Sequence, residues 1–267
     1  MFEKFTEYMD CQLAISEKSR KLVHQIRHRV YCEELNFEPQ KVTQMETDEF
    51  DDYSLFCMIK QRSTDKVAGC VRLVSPEHDD HMLPLEKHCN NAITDPNYKL
   101  DRFRRGTLCE ISRLAIPLEF RRRRDENRPK ELEKPISQLS EEEKRTFPLI
   151  SLALYFAAAS MGVQKGHEHC FVMMEPRLAR SMRLLGIPFV QVGPAIDFRG
   201  KRAPYYINAE LFHSRLAPEL VYLFGEIDGR VKQGMMGITL GSAAGIPLSP
   251  GGRALNNSML HHTKWSC

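Results

Sequence analysis

The chain has 267 residues, 42% of them hydrophobic and 27% charged, an ordinary globular balance with enough apolar material for a substantial core. A formal charge of +3 is too small to point to nucleic acid, and the eight cysteines contain no CxxC pair, which excludes a zinc ribbon and a thioredoxin-type site. The opening MFEKFTEYMD carries acids and lacks the apolar stretch of a secretory leader, and no run of 18 apolar residues occurs, so a cytoplasmic location is expected and no membrane span.

In chain order, Leu22, Val23, Ile26 and Val30 recur at helical spacing and predict an amphipathic helix within 15–36. The acidic stretch ETDEFDD (46–52) follows. YSLFCMIKQ (53–61) and KVAGCVRLVS (66–75) read as strands, and the polar link between them predicts a hairpin. TLCEISRLAI (107–116) is a third strong strand. Residues 117–147 change character to a basic run, Arg121 to Arg124, and a Pro-, Glu- and Lys-rich linker, ending in a capping-box pair, Ser140 and Glu143. A Leu- and Ala-rich helix is predicted over 149–162 with Gly162 as its stop, then a strand (169–175) and a helix (176–186) with Pro first and Gly last. Further strands near 188–193 and 203–211 and a helix around 215–224 complete the pattern. The expected class is α/β (α+β), a mixed, partly parallel sheet flanked by helices. One domain is expected over 1–231, with a disordered Gly- and Ser-rich tail over 232–267.

Three uses suit the acidic stretch: a calcium loop, a solvated bend, or a receptor for a substrate cation. The calcium pattern fits poorly, because Phe50 and Tyr53 interrupt it and no glycine follows. Strand alternation places Glu110 and Ser112 on one face with Leu108 and Leu114, and Cys109, Ile111 and Arg113 on the other. A Glu and an Arg within an apolar strand are costly unless paired, and Arg72 sits in a similar setting in GCVRLV. These residues predict a buried ionic network with the acids of 46–52, either structural or functional. The basic run, with Arg102, Arg104 and Arg105 nearby, suits a solvated loop, a phosphate-bearing ligand, an acidic protein or the surface of an anionic membrane. It lacks the aromatic interleaving of a nucleic-acid binder. GHEHC (166–170) offers two histidines to a metal but no third ligand at sensible spacing, so no metal is expected.

IRHRVYCEELNF (26–37), METDEFDDY (45–53), GCVRLV (69–74) and CEISRLAI (109–116) resemble, in order, the signature blocks of acyl-homoserine-lactone (autoinducer) synthases, which are GNAT-superfamily acyltransferases. On this resemblance Arg27, Tyr31 and Phe37 match the N-terminal Arg and aromatic positions, with Phe37 where those synthases usually carry Trp. Glu46, Asp48 and Asp51 match the acidic triplet, and Arg72, Glu110, Ser112 and Arg113 the strand residues. EFRRRRDE, FPLISLALYFAAASMG, MEPRLARSMRLLGI and RAPYYI are more similar to the exosortase-associated (PEP-CTERM system) acyltransferases, which overlap with the long-chain N-acyl amino acid synthases. The resemblance implies a GNAT-like fold. It implies transfer of a long acyl chain from acyl carrier protein to the amino group of an amino acid or related small amine, with no bound cofactor.

The Gly-rich pyrophosphate loop of ordinary GNAT enzymes is missing after the third strand. The basic run Arg121, Arg122, Arg123 and Arg124 stands there, which suits an acidic carrier protein better than coenzyme A. Glu110 and Glu46 are the candidate bases, Asp48 and Asp51 the candidate holders of the substrate ammonium. Arg72 and Arg113 either fix these carboxylates or bind a substrate carboxylate. The acyl chain is expected in an apolar tunnel beside the 107–116 strand and the 149–162 helix. Two alternatives are an autoinducer synthase using S-adenosylmethionine and a non-catalytic acyl or carrier-protein binding module.

Overall fold

The computed structural model describes residues 2–89, 91–121, 140–214 and 216–243. A short helix α1 (Phe2–Tyr8) leads into β1 (Met9–Leu13), whose Met9 and Cys11 face the core. The amphipathic helix predicted within 15–36 is α2 (Glu17–His28), capped by Ser16, whose hydroxyl accepts from the Ser19 amide at 3.2 Å. It opens into a π-helical turn, Arg29–Glu34, that buries Val30, Tyr31 and Cys32 together. β2 (Ser54–Gln61) and β3 (Val67–Val74) form the predicted hairpin. Short helix α3 (Pro84–Cys89) and several single turns precede β4 (Leu108–Ala115).

After the undescribed stretch 122–139, Ser140 caps α4 (Glu141–Thr146) by accepting from the Glu143 amide at 3.1 Å, so the expected linker ends at Ser140. The long helix α5 (Ile150–Gln164) continues through Gly162, correcting the predicted stop; the left-handed residue that follows the helix is Gly166, at φ 75°. Then come β5 (His169–Met174), α6 (Pro176–Leu184), β6 (Val190–Gln191), β7 (Ile196–Asp197), β8 (Lys201–Asn208), α7 (Ala209–Ser214) and α8 (Pro218–Ala243).

The strand order is β1-β2-β3-β4-β5-β8-β6, with β7 on β8, and β4–β5 is the parallel pair. Two sequential strands can be parallel only through a crossover, and α5 supplies it. α5 is apolar all round because it is covered all round, by the sheet on one side and α8 on the other. Gly69 lets it lie close: a Cβ there would stand 3.0 Å from Leu154 Cδ1 and 3.1 Å from the Ala115 carbonyl oxygen. The run Glu141–Gln164 is long and apolar enough to cross a membrane, but 72% of its most apolar window is buried in the fold, so it serves as a core helix. β3, central and covered on both faces, is buried along its whole length. Its Val71 and Leu73 face α5, and Cys70 and Arg72 face α2 and the acidic stretch.

The boundary expected at residue 232 is corrected, since α8 remains helical to Ala243. Glycine content suggested disorder there. Gly234 instead packs against β1, where a Cβ would stand 2.9 Å from Leu13 Cδ1, so a small residue is what the contact requires. Residues 244–267 lie outside the described residues.

Candidate active site

The site begins at an irregularity in β4. Cys70 pairs with Ala115 and Arg72 with Ser112, so β4 carries one more residue than β3 over this interval. Arg113 takes up the excess at φ 50°, a left-handed conformation that costs a non-glycine residue about 1–3 kcal/mol. Alternation is lost at this point, and the expected faces are corrected. Arg113 joins Ser112 on the α2 side instead of Ile111, while Leu114 packs against the α5 core and Ala115 returns to the α2 side.

The extra residue completes a network of three arginines and three acids. Arg27 donates from Nε to Glu46 at 2.5 Å and from Nη1 to Asp51 at 2.7 Å. Arg72 donates to Asp48, to Asp51 at 2.6 Å, and to the Ser112 hydroxyl at 3.0 Å. Arg113 reaches Glu46 at 3.1 Å and Asp48 at 3.0 Å. Arg27 and Arg72 are 0% exposed, so their charges are tolerable only because carboxylates surround them. Burial opposes ionisation of Glu46 and Asp48, yet the arginines outweigh it and hold both carboxyls below their usual values. ETDEFDD itself folds as a 3₁₀ turn, Glu49–Tyr53, closed by a reciprocal cap: the Phe50 amide donates to Asp48 and the Asp48 amide to Asp51, each at 3.1 Å. Glu49 pairs with Lys87 at the surface and Asp52 is exposed.

A cleft of about 440 Å³ lies beside this network, where β4 and β5 part. Their parallel ladder ends at Ile111–Val172, although β4 continues to Ala115 and β5 to Met174. Of the residues singled out from the sequence, Tyr31, Phe37, Glu110, Ser112, Arg113 and Arg121 line the cleft; Arg27, Glu46, Asp48, Asp51 and Arg72 stand behind it. The two candidate bases therefore separate. Glu46 is bound by arginines and held ionised. Glu110, 2% exposed, accepts the Leu85 amide at 2.8 Å, and burial pushes its carboxyl up to about 8. A group of that pKa can both take and return a proton near neutral pH.

Tyr31 donates to the Leu114 carbonyl at 2.8 Å, and Arg113 lies over its ring at 5.6 Å. Behind the cleft, a second, apolar cavity of about 60 Å³ runs between the sheet and α5, and the two spaces share Ile111 and Tyr155 as walls. Cys109 lines the inner cavity; its thiol is pushed well up by the neighbouring Cys170 thiol and by burial, which removes it as a nucleophile. His167 sits between the Ser75 hydroxyl at 2.7 Å and the Gly106 carbonyl at 3.2 Å, while His169 bonds the Tyr206 hydroxyl at 2.8 Å. No cluster of three metal-ligating side chains occurs among the described residues.

Sequence reasoning missed Glu38, Tyr155, Arg199 and Arg202. Glu38 bridges Arg113 at 3.1 Å and Arg199, tying the β7–β8 turn to the network. That turn, with Arg199 at φ 51° and Gly200 at φ 90°, carries Phe198 against His88 across the cleft. The FRGKR stretch was its only signal, a polar hairpin tip with a glycine. Arg121 is held by Glu34 and by the Ile116 carbonyl at 2.7 Å; Arg122 to Arg124 fall outside the described residues.

Residues 26–127, less than half of the chain, match the family model described as acetyltransferase (GNAT) domain. No protein of curated function matches. Among solved structures, the chain is similar to a coenzyme A-dependent acyl-homoserine lactone synthase, BjaI, with SAM and isopentyl-CoA (14% identity, 86% of this chain and 99% of that one, TM-score 0.52). It is similar to TofI in a ternary complex with an inhibitor and MTA (15%, 75% and 91%, TM-score 0.53). It is also similar to FeeM, an N-acyl amino acid synthase from uncultured soil microbes (10%, 80% and 97%, TM-score 0.51). At these identities the likeness is one of fold, and it agrees with the GNAT resemblance read from the sequence.

Proposed function

We propose that the protein is an N-acyltransferase that moves a long acyl chain from an acyl carrier protein thioester to the amino group of an amino acid or related small amine. The observation that carries this is Glu110: a buried carboxyl with its pKa near 8, lining the cleft at the parting of β4 and β5, with an apolar cavity directly behind. In the reaction the ammonium loses a proton to Glu110, directly or through water, and the amine nitrogen attacks the thioester carbonyl carbon. The C–S bond breaks as the C–N bond forms; the nitrogen's second proton passes to the departing thiolate, and Glu110 returns the first to solvent. N–H groups on the parted strand edges suit the developing oxyanion. The arginine–carboxylate network acts as a scaffold: its acids are engaged by arginines, so they fix Arg113 and the wall of the cleft more readily than they would capture a substrate cation.

Acyl carrier protein is preferred to coenzyme A because arginines occupy the place of a Gly-rich pyrophosphate loop. The test incubates the protein with acyl carrier protein or coenzyme A thioesters of defined length, and with an amino-acid mixture or S-adenosylmethionine, and reads product mass. An N-acyl amino acid formed from the carrier thioester supports the proposal. An acyl-homoserine lactone identifies an autoinducer synthase. No product with any pair, alongside binding of the acyl carrier, leaves a non-catalytic module.

A further inference from the structure

Four arginines line the cleft, and three of them are engaged: Arg113 by Glu38, Glu46 and Asp48, Arg121 by Glu34, and Arg199 by Glu38. Arg202 differs. It has no ion pair among the described residues, its Nε is buried without a hydrogen-bond partner among them, and its guanidinium lies over the Phe37 ring, 5.8 Å from the centroid. The two acids on the cleft wall do not neutralise it. Glu110 is largely protonated at neutral pH, and Glu175, exposed at the start of α6, makes no ion pair with it. β8 sets Arg202 one residue beyond the Ala203–Met174 pair, at the end of β5 where the cleft opens. Arg199 is near enough to feel its charge.

A half-buried guanidinium with idle donors is costly until an anion engages it, and its planar fork matches a carboxylate. We propose that Arg202, with Arg199 beside it, receives the carboxylate of the acceptor, which makes the acceptor a free α-amino acid and not a simple amine or an amide. This rests on the acyl-transfer proposal above. S-adenosylmethionine carries the same carboxylate and falls within the class. A donor phosphate would satisfy the same chemistry. The acceptor's carboxylate is favoured because it is two bonds from the reacting nitrogen, and Arg202 shares one cleft with Glu110, whereas a pantetheine phosphate is held a whole arm away from its thioester.

The experiment is calorimetric titration of wild type, Arg202→Gln and Arg202→Lys, with and without carrier protein. The probes are the standard L-amino acids, S-adenosylmethionine, the amides of the amino acids, and an acyl carrier protein thioester. Wild type is expected to bind at least one acid about 10- to 100-fold more tightly than its amide, the range of a charge-assisted pair. Arg202→Gln should lose that difference while its thermal midpoint and carrier binding stay unchanged, and Arg202→Lys should keep part of it. Equal binding of acids and amides, binding of neither, or an Arg202→Gln defect confined to the carrier thioester would overturn the assignment. Binding with the expected difference but no acyl transfer to any acceptor would sink the acyltransferase proposal and leave the carboxylate site standing.

Discussion

Arg113 meets Glu46 through two nitrogens, Nε at 3.2 Å and Nη2 at 3.1 Å, only because β4 carries an extra residue opposite β3. Regular alternation would send that guanidinium toward the apolar face of α5. The backbone cost of the left-handed residue is offset by contacts to Glu38, Glu46 and Asp48. Arg113→Ala is therefore expected to lose about 3–5 kcal/mol in urea denaturation, the range for breaking a buried pair. Arg113→Lys, with one charged nitrogen instead of a fork, should lose roughly half as much. A loss below ~0.5 kcal/mol for Ala would mean that the network does not depend on the extra residue.

Arg27, like Arg72, is fully buried within the network, and Arg27→Met leaves Glu46 and Asp51 each short of a partner. A cost of about 3–5 kcal/mol is expected at pH 7. The pH dependence has a definite sign. Glu46 and Asp48 have folded pKa values below their usual ones, so their contribution is present above the ordinary carboxylate range and is lost as pH falls through the folded values. The gap between wild type and Arg27→Met should narrow toward pH 3, measured by denaturation at stepped pH.

Glu110 has the opposite sign. Its folded pKa, about 8, stands above the ordinary 4.5, so between those values the native state keeps a proton that the unfolded state releases, and stability declines as pH rises through the window. Wild type should lose thermal stability relative to Glu110→Gln between pH 5 and pH 8. Acyl transfer should rise with pH and level off above about 8, and Glu110→Gln should lower kcat roughly 10²- to 10⁴-fold. A flat pH–rate profile in wild type would remove Glu110 as the base.

The inner cavity behind Tyr155 is narrow, and Ala159 lines it. Ala159→Phe is expected to abolish transfer of the longest acyl chains while sparing short ones, because each excluded methylene forfeits about 0.8 kcal/mol of burial. A chain-length series of carrier thioesters checks this; uniform loss across the series would place the chain elsewhere.

Neutralising Arg122, Arg123 and Arg124 together should raise KM for the carrier-protein thioester about tenfold at low salt and leave a free acyl-pantetheine donor unaffected, since the effect acts on protein docking. Equal effects on both donors would point to a role in the cleft.

Much of the scaffold was legible in the sequence. Apolar, strand-like runs marked β2, β3 and β4, the polar link marked the β2–β3 hairpin, and the mid-strand charges of Arg72, Glu110 and Arg113 announced a buried network, since such residues are too costly to bury alone. β1 was missed because five residues give too short a pattern, and with it went the reason for Gly234 in α8, which packs against Leu13.

The sequence by itself determined which residues had to be charged inside the fold and roughly which strands carried them, because burial of charge without a partner is forbidden by its desolvation cost. Only the tertiary structure decided the pairings. The extra residue in β4 moved Arg113 to the acids, three arginines took up Glu46, Asp48 and Asp51, and Glu110 was left buried, without an ion pair among the described residues, and with its proton. Arg199 and Arg202 reached the same cleft from a hairpin far along the chain. Periodicity reports the face on which a side chain lies. Proton affinity and ion pairing depend on every group packed around it, and those groups come from distant segments that only folding brings together.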